Sequence, residues 1–158
     1  MSKDFSHLDE TGGISMVNVG TKKVTQREAV AVATVRMQPE TLAKLIEQAL
    51  PKGDVLTTAK VAGVLAAKQT SALIPLTHPV PIHSVDITFD LDRAGGALEI
   101  RSIVKCEGKT GVEMEAMTAC AVAALTVYDM CKSAERGITI ESLQLVRKSG
   151  GKSGIWER

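Results

Sequence analysis

The chain has 158 residues, 19 of them Lys or Arg and 18 Asp or Glu, giving a formal net charge of +1, with 44% hydrophobic and 3% aromatic residues. That length predicts one domain spanning 1–158, and its apolar content and low net charge exclude disorder except at the ends, a flexible start at about 1–13 and a glycine-rich tail at about 148–158. Balanced charge also excludes non-specific duplex binding, which needs an excess of cations, and Phe5, Phe89, Tyr128 and Trp156 are too scattered for a single-strand stacking platform.

The longest apolar run, Ala119 to Leu125, falls far short of the ~20 residues of a membrane helix. Charges and Gly12-Gly13 interrupt the start, so no signal peptide is read and the cytoplasm is the expected location. Cys106, Cys120 and Cys131 lack CxxC spacing and read as buried small hydrophobes.

In chain order, a short strand is predicted at Met16–Val19 and a longer one at Glu28–Met37, where side chains alternate between two faces. Pro39 opens a helix carrying Leu42, Leu45, Ile46 and Ala49, stopped by Pro51-Lys52-Gly53. Asp54 caps a second, with an apolar stripe at Val55, Ala59, Ala62, Leu65 and Ala66. Pro75, Pro79 and Pro81 make Ile74–Ile82 a stiff, extended loop. Val85–Leu91 and Leu98–Cys106 alternate around Ala94-Gly95-Gly96 as a hairpin. A long helix follows from about Val112 to Ala134, then a last strand, Ile138–Val146, and the tail KSGGKSG. With the first strand left out and the two early helices counted as one crossover, this is the α+β, ferredoxin-like (split βαβ) order: an antiparallel sheet with helices on one face.

The long helix is apolar almost all round between Ala116 and Met130, which predicts burial on more than its sheet side and so a homo-oligomer. On a helical wheel Glu115, Thr118, Asp129 and Lys132 share a sector, and Glu113 lies opposite. Asp129 and Lys132, three apart, read either as a surface ion pair or as functional groups. Glu115 and Asp129 are separated by 14 residues, ~21 Å of helix, so one pocket can use both only if two chains build it. Lys52, Lys148 and Lys152 sit among Gly, Ser and Pro, a composition that suits phosphate or simply a solvated turn. His78 is held in the proline loop; with His83 and His7 it shows no metal-ligand spacing, so no metal site is read.

Five segments taken together resemble one family: KGDV (52–55), IPLTHP (74–79), GKTGVEMEAMTA (108–119), AALTVYDMCK (123–132) and KSGGKSG (148–154). The chain is similar to the MoaC proteins, the cyclic pyranopterin monophosphate synthase family of molybdenum cofactor biosynthesis. The resemblance implies a hexamer, a trimer of dimers with active sites at the dimer interface. It implies conversion of 3′,8-cyclo-7,8-dihydro-GTP, supplied by a radical enzyme, to cyclic pyranopterin monophosphate with loss of pyrophosphate, a phosphorus–oxygen lyase reaction. It assigns catalysis to Asp129, Lys132, Lys52 and Lys148, and substrate contacts to Leu76, Thr77, His78, Met114 and Glu115, with Glu113 beside them. Lys152 is added as a further phosphate contact. Family members commonly read LCHP where this chain has Leu76-Thr77-His78-Pro79. No intrinsic cofactor is implied; Mg²⁺ can accompany the triphosphate, although no carboxylate cluster reads as its cage. Crowded lysines are expected to have depressed pKa values. The rival reading is a non-catalytic nucleotide-sensing or RNA-binding module on this fold; an RNA-binding version would place aromatics on the central strands, and only Phe89 lies there.

Overall fold

A computed structural model describes residues 11–158. Strand β1 (Thr25–Arg36) leads into helices α1 (Pro39–Ile46), α2 (Val55–Lys68) and the single turn α3 (Thr70–Leu73). The hairpin β2 (Ile82–Asp92) and β3 (Ala97–Gly108) follows, then α4 (Glu113–Cys131), β4 (Thr139–Ser149) and the two-residue β5 (Trp156–Glu157). The sheet order is β2-β3-β1-β4-β5, and every neighbouring pair is antiparallel. Its first four strands are the split βαβ arrangement, an α+β, ferredoxin-like fold.

β1 occupies the middle because both of its faces can be covered. Ala29, Ala31, Ala33 and Val35 have no exposed surface, and Val30 and Val32 on the alternate face are buried too. The small alanines let α4 lie close: Cys120 Sγ is 3.4 Å from the Ala31 carbonyl oxygen, and Ser102 Oγ donates to the Ala116 carbonyl at 2.7 Å. α2 lies along the other side of α4. A Cβ built on Gly63 would come within 2.8 Å of the Ala119 carbonyl oxygen, so the helices meet through a seam of small residues. All three cysteines are free and buried.

Several expectations shift. Met16–Val19 forms no strand; the backbone there runs irregularly beside the site. The buried stripe of α2 is Val55, Ala59, Gly63, Ala66 and Ala67, while Leu65 is 57% exposed, because a close helix–helix seam selects small side chains and turns bulky ones outward. α1 ends at Ile46: Gln48 adopts a left-handed φ of 54°, and the Ala49 amide closes the end on the Lys44 carbonyl at 2.9 Å. The proline loop begins with a turn before extending, closed by the Thr77 amide on the Ile74 carbonyl. The tail is a β4–β5 hairpin, in which Arg147 faces Glu157 and Lys148 faces Trp156. The flexible start and His7 lie, as far as residue 10, outside the described residues.

α4 has the length and composition of a membrane-crossing helix, but 56% of that window is buried, as suits the core helix of a folded domain. The sheet and α2 together account for most of its all-round apolar character. What they leave uncovered is a strip marked by Leu125, 58% exposed.

Candidate functional site

The sequence-nominated residues gather into two groups, one at each end of α4. At the C-terminal end Asp129 stands between two ammonium groups. Lys132 Nζ donates to Oδ1 at 2.7 Å; Lys52 Nζ donates to Oδ2 and to the Asp129 backbone carbonyl, both at 2.8 Å. Lys52 is delivered by the α1–α2 loop. Buried Leu50 anchors that loop on one side, and on the other the Asp54 carboxylate accepts from the Thr57 amide at 3.0 Å to cap α2. The two lysines hold the Asp129 carboxyl down to about 2, chiefly through their hydrogen bonds. The carboxylate in turn raises Lys132, reversing the depressed value expected of crowded lysines: an anion between the cations outweighs their mutual repulsion. Beneath them burial pushes the Cys131 thiol up to about 11, so it stays protonated and a poor nucleophile.

At the N-terminal end of α4 lies a cavity of about 440 Å³. It is walled by Leu76, Thr77 and His78 of the proline loop, by Glu113, Met114 and Glu115 of the first turn of α4, and by Lys148 of β4. A β-bulge aims Lys148 into it. In the β1–β4 register Ala31 pairs with Leu145 and Ala29 with Lys148, so β4 carries one extra residue there. Strict alternation would put Arg147, not Lys148, on the helix-bearing face. With the bulge, Arg147 turns to the open face and pairs with Glu28, and Lys148 Nζ reaches Glu113 Oε1 at 2.9 Å. Glu115 is buried to 3% exposure, and desolvation, helped by the nearby Glu113 charge, raises its carboxyl pKa.

The shared wheel sector therefore divides. Glu115 and Thr118 are buried at one end, Asp129 and Lys132 are exposed at the other, and Glu113, placed opposite by the wheel, lines the same cavity as Glu115. In the first turn two residues at different angles can still border one mouth. Lys152 sits exposed at the β4–β5 turn and does not line the cavity. Thr77 Oγ donates to the Ile74 carbonyl at 2.8 Å, serving its own loop turn.

Sequence reading missed the cavity's remaining wall: Val17, Val19 and Lys22 on one side, Thr110 and Gly111 on another. It also missed Arg27, which donates to the Lys109 carbonyl at 3.5 Å and lies under the β4–β5 turn. A Cβ at Gly151 would overlap the Arg27 guanidinium, and one at Gly150 would overlap the Gln26 carbonyl; both glycines have positive φ, 100° at Gly150 and 70° at Gly151. The glycines of KSGG thus let β4 turn tightly enough to seat its lysine.

One buried helix thus carries an aspartate held between two lysines at one end and, at the other, a cavity lined by two lysines and two glutamates, on a ferredoxin-like domain. The chain belongs to the MoaC family, which matches residues 16–151. It is similar to the cyclic pyranopterin monophosphate synthase of Geobacter sulfurreducens, 54% identical over 154 residues, 98% of this chain and 96% of that one. The Chloroflexus aurantiacus synthase is 52% identical over 155 residues, covering 98% and 95%. That of Bordetella avium is 55% identical over 152 residues, covering 96% and 94%.

Proposed function

We propose that this chain is a cyclic pyranopterin monophosphate synthase acting early in molybdenum cofactor biosynthesis, a cytoplasmic phosphorus–oxygen lyase. It takes 3′,8-cyclo-7,8-dihydro-GTP from an upstream radical enzyme and releases pyrophosphate. Its relatives' names support the product, and one observation supports the architecture: the cavity beside Glu115 and the Lys52–Asp129–Lys132 group lie at opposite ends of α4, Glu115 and Asp129 being ~21 Å apart by helical rise. In one protomer they cannot close on a single nucleotide. Two copies can join them, the cavity of one facing the Lys52–Asp129–Lys132 group of the other, within a hexamer built as a trimer of dimers. Exposed Val61 and Leu65 of α2 and Leu125 of α4 supply apolar surface for such contacts.

Charge supports the same reading. A triphosphate carries roughly four negative charges near neutral pH, and lysines held about an anionic site can balance it in a chain of net charge +1. Lys148 reaches the phosphates by leaving Glu113, and Lys52 and the more distant Lys152 add to the clamp. A hydroxyl of the sugar portion attacks the α-phosphorus, its proton passes to a base, and the bond to the departing pyrophosphate breaks. Opening of the purine's five-membered ring and closure of the pterin move further protons. Lys132 and Asp129 serve as the acid/base pair on the ring, while Leu76, Thr77, His78, Met114 and Glu115 position base and sugar. Mg²⁺, where present, arrives with the triphosphate as part of the substrate; among the described residues no three His, Cys, Asp or Glu side chains gather to hold a metal.

Single turnover with the cyclised nucleotide tests the reading. Wild-type protein is expected to yield one pyrophosphate for each cyclic pyranopterin monophosphate; binding without pyrophosphate release would contradict it.

A further inference from the structure

The segment that was expected to be a strand has another use. Between Asn18 and Lys22 the chain makes a tight turn: the Lys22 amide donates to the Val19 carbonyl at 3.1 Å, and the Gly20 amide to Asn18 Oδ1 at 2.8 Å. Lys109, from the Gly-Lys-Thr-Gly loop that opens α4, fastens this turn by donating from Nζ to the Gly20 carbonyl at 2.6 Å. The Lys109 backbone is itself held by Arg27 from β1. The turn is thereby tied to the element that sets Glu113 and Glu115, and it brings Lys22 into the wall of the same cavity.

Lys22 differs from the cavity's other lysine in one respect. Lys148 is already paired with Glu113 at 2.9 Å, whereas no described carboxylate lies within ion-pair distance of Lys22. An anion entering the cavity must compete with Glu113 for Lys148, but among the described residues it meets no carboxylate to displace from Lys22. An ammonium on a fastened turn, unpaired among the described residues, gains a charge-assisted hydrogen bond on binding at little cost in lost partners.

We infer that Lys22 is a phosphate-binding residue of this site, held in reach by Lys109, so that the turn from Asn18 to Lys22 acts as the phosphate-side wall of the cavity. The inference deepens the proposed function and rests on it for the identity of the phosphate, a triphosphate end of the nucleotide substrate. It makes Lys22 a binding residue and Lys109 a positioning residue, neither of them a proton carrier in the reaction.

The test compares wild type, Lys22→Ala, Lys22→Arg and Lys109→Ala in two assays: pyrophosphate affinity by calorimetry, and steady-state kinetics on the cyclised nucleotide. Lys22 is exposed, so its replacement should leave the fold intact, which the melting temperature checks. Lys22→Ala is expected to weaken pyrophosphate binding and raise KM about tenfold, with kcat within about twofold, as for one lost charge-assisted contact. Lys22→Arg should recover most of the affinity. Lys109→Ala should raise KM by a smaller factor, with the wild-type dependence of kcat on pH. Unchanged pyrophosphate affinity and KM in Lys22→Ala would overturn the inference, as would an equal loss in Lys22→Arg. If pyrophosphate binding depends on Lys22 while the wild type fails to turn over the cyclised nucleotide, the phosphate site stands and the proposed reaction falls.

Discussion

Lys132→Ala is expected to lower pyrophosphate release from the cyclised nucleotide by about 10³-fold or more, the scale of a lost general acid–base group, in a protein that stays folded and assembled. Lys132 is half exposed, and its one ion pair among the described residues is the exposed contact with Asp129, so the fold loses little when it goes. The chemistry loses its proton carrier, and Asp129 loses one of the two ammonium groups that hold its carboxyl low. Lys132→Arg should fail to rescue: a guanidinium keeps the charge, but it gives up a proton still less readily than the ammonium and its planar fork does not take the ammonium's place against Asp129. Single-turnover rates, with circular dichroism and sedimentation as controls, decide the matter. A rate near wild type would remove Lys132 from the reaction.

The second large effect concerns the frame that holds both ends of α4. Gly63→Val is expected to destabilise the protein by about 3 kcal/mol, lowering the melting temperature by about 6 to 12 °C. Its side chain would be driven into Ile87 and the Ala119 carbonyl, and Ala123 closes the remaining side. Replacing a helical glycine by the β-branched valine gains only about 0.3 kcal/mol of helix propensity, and here the overlap exceeds that gain. Lys68→Val on the same helix is exposed and should stay within about 0.5 kcal/mol of wild type. Equal melting temperatures for Gly63→Val and Lys68→Val would mean that α2 and α4 are not packed through this seam.

The hairpin and the core helix were legible because their signals are local. Val85 to Leu91 alternates strictly beside a Gly-Gly turn, and α4 begins and ends within a few residues of the expected bounds. The two-ended layout was also legible, since helical rise alone separates Glu115 from Asp129. Features set by tertiary pairing were not. The β4 bulge that exchanges Arg147 for Lys148 has no local signature and exists only in register with β1. The seam of α2 ran against simple hydrophobicity, which favours Leu65 over Gly63; a glycine in mid-helix was the available cue. Lys22 was passed over because a wall built from irregular backbone has no period to read. The direction of the Lys132 shift turned on which charge lies between which, and spacing in sequence does not give that.

The central claim is that each site is shared between two copies. Lys132→Ala chains, intact at the cavity, and Glu115→Ala chains, intact at the Asp129 group, should each be inactive alone. Co-expressed in equal amounts with random pairing, they are expected to restore about one quarter of wild-type activity, since half of the dimers are mixed and each mixed dimer holds one unmutated site of its two. No recovery, with mixed dimers present by mass spectrometry, would show that each chain carries its site alone.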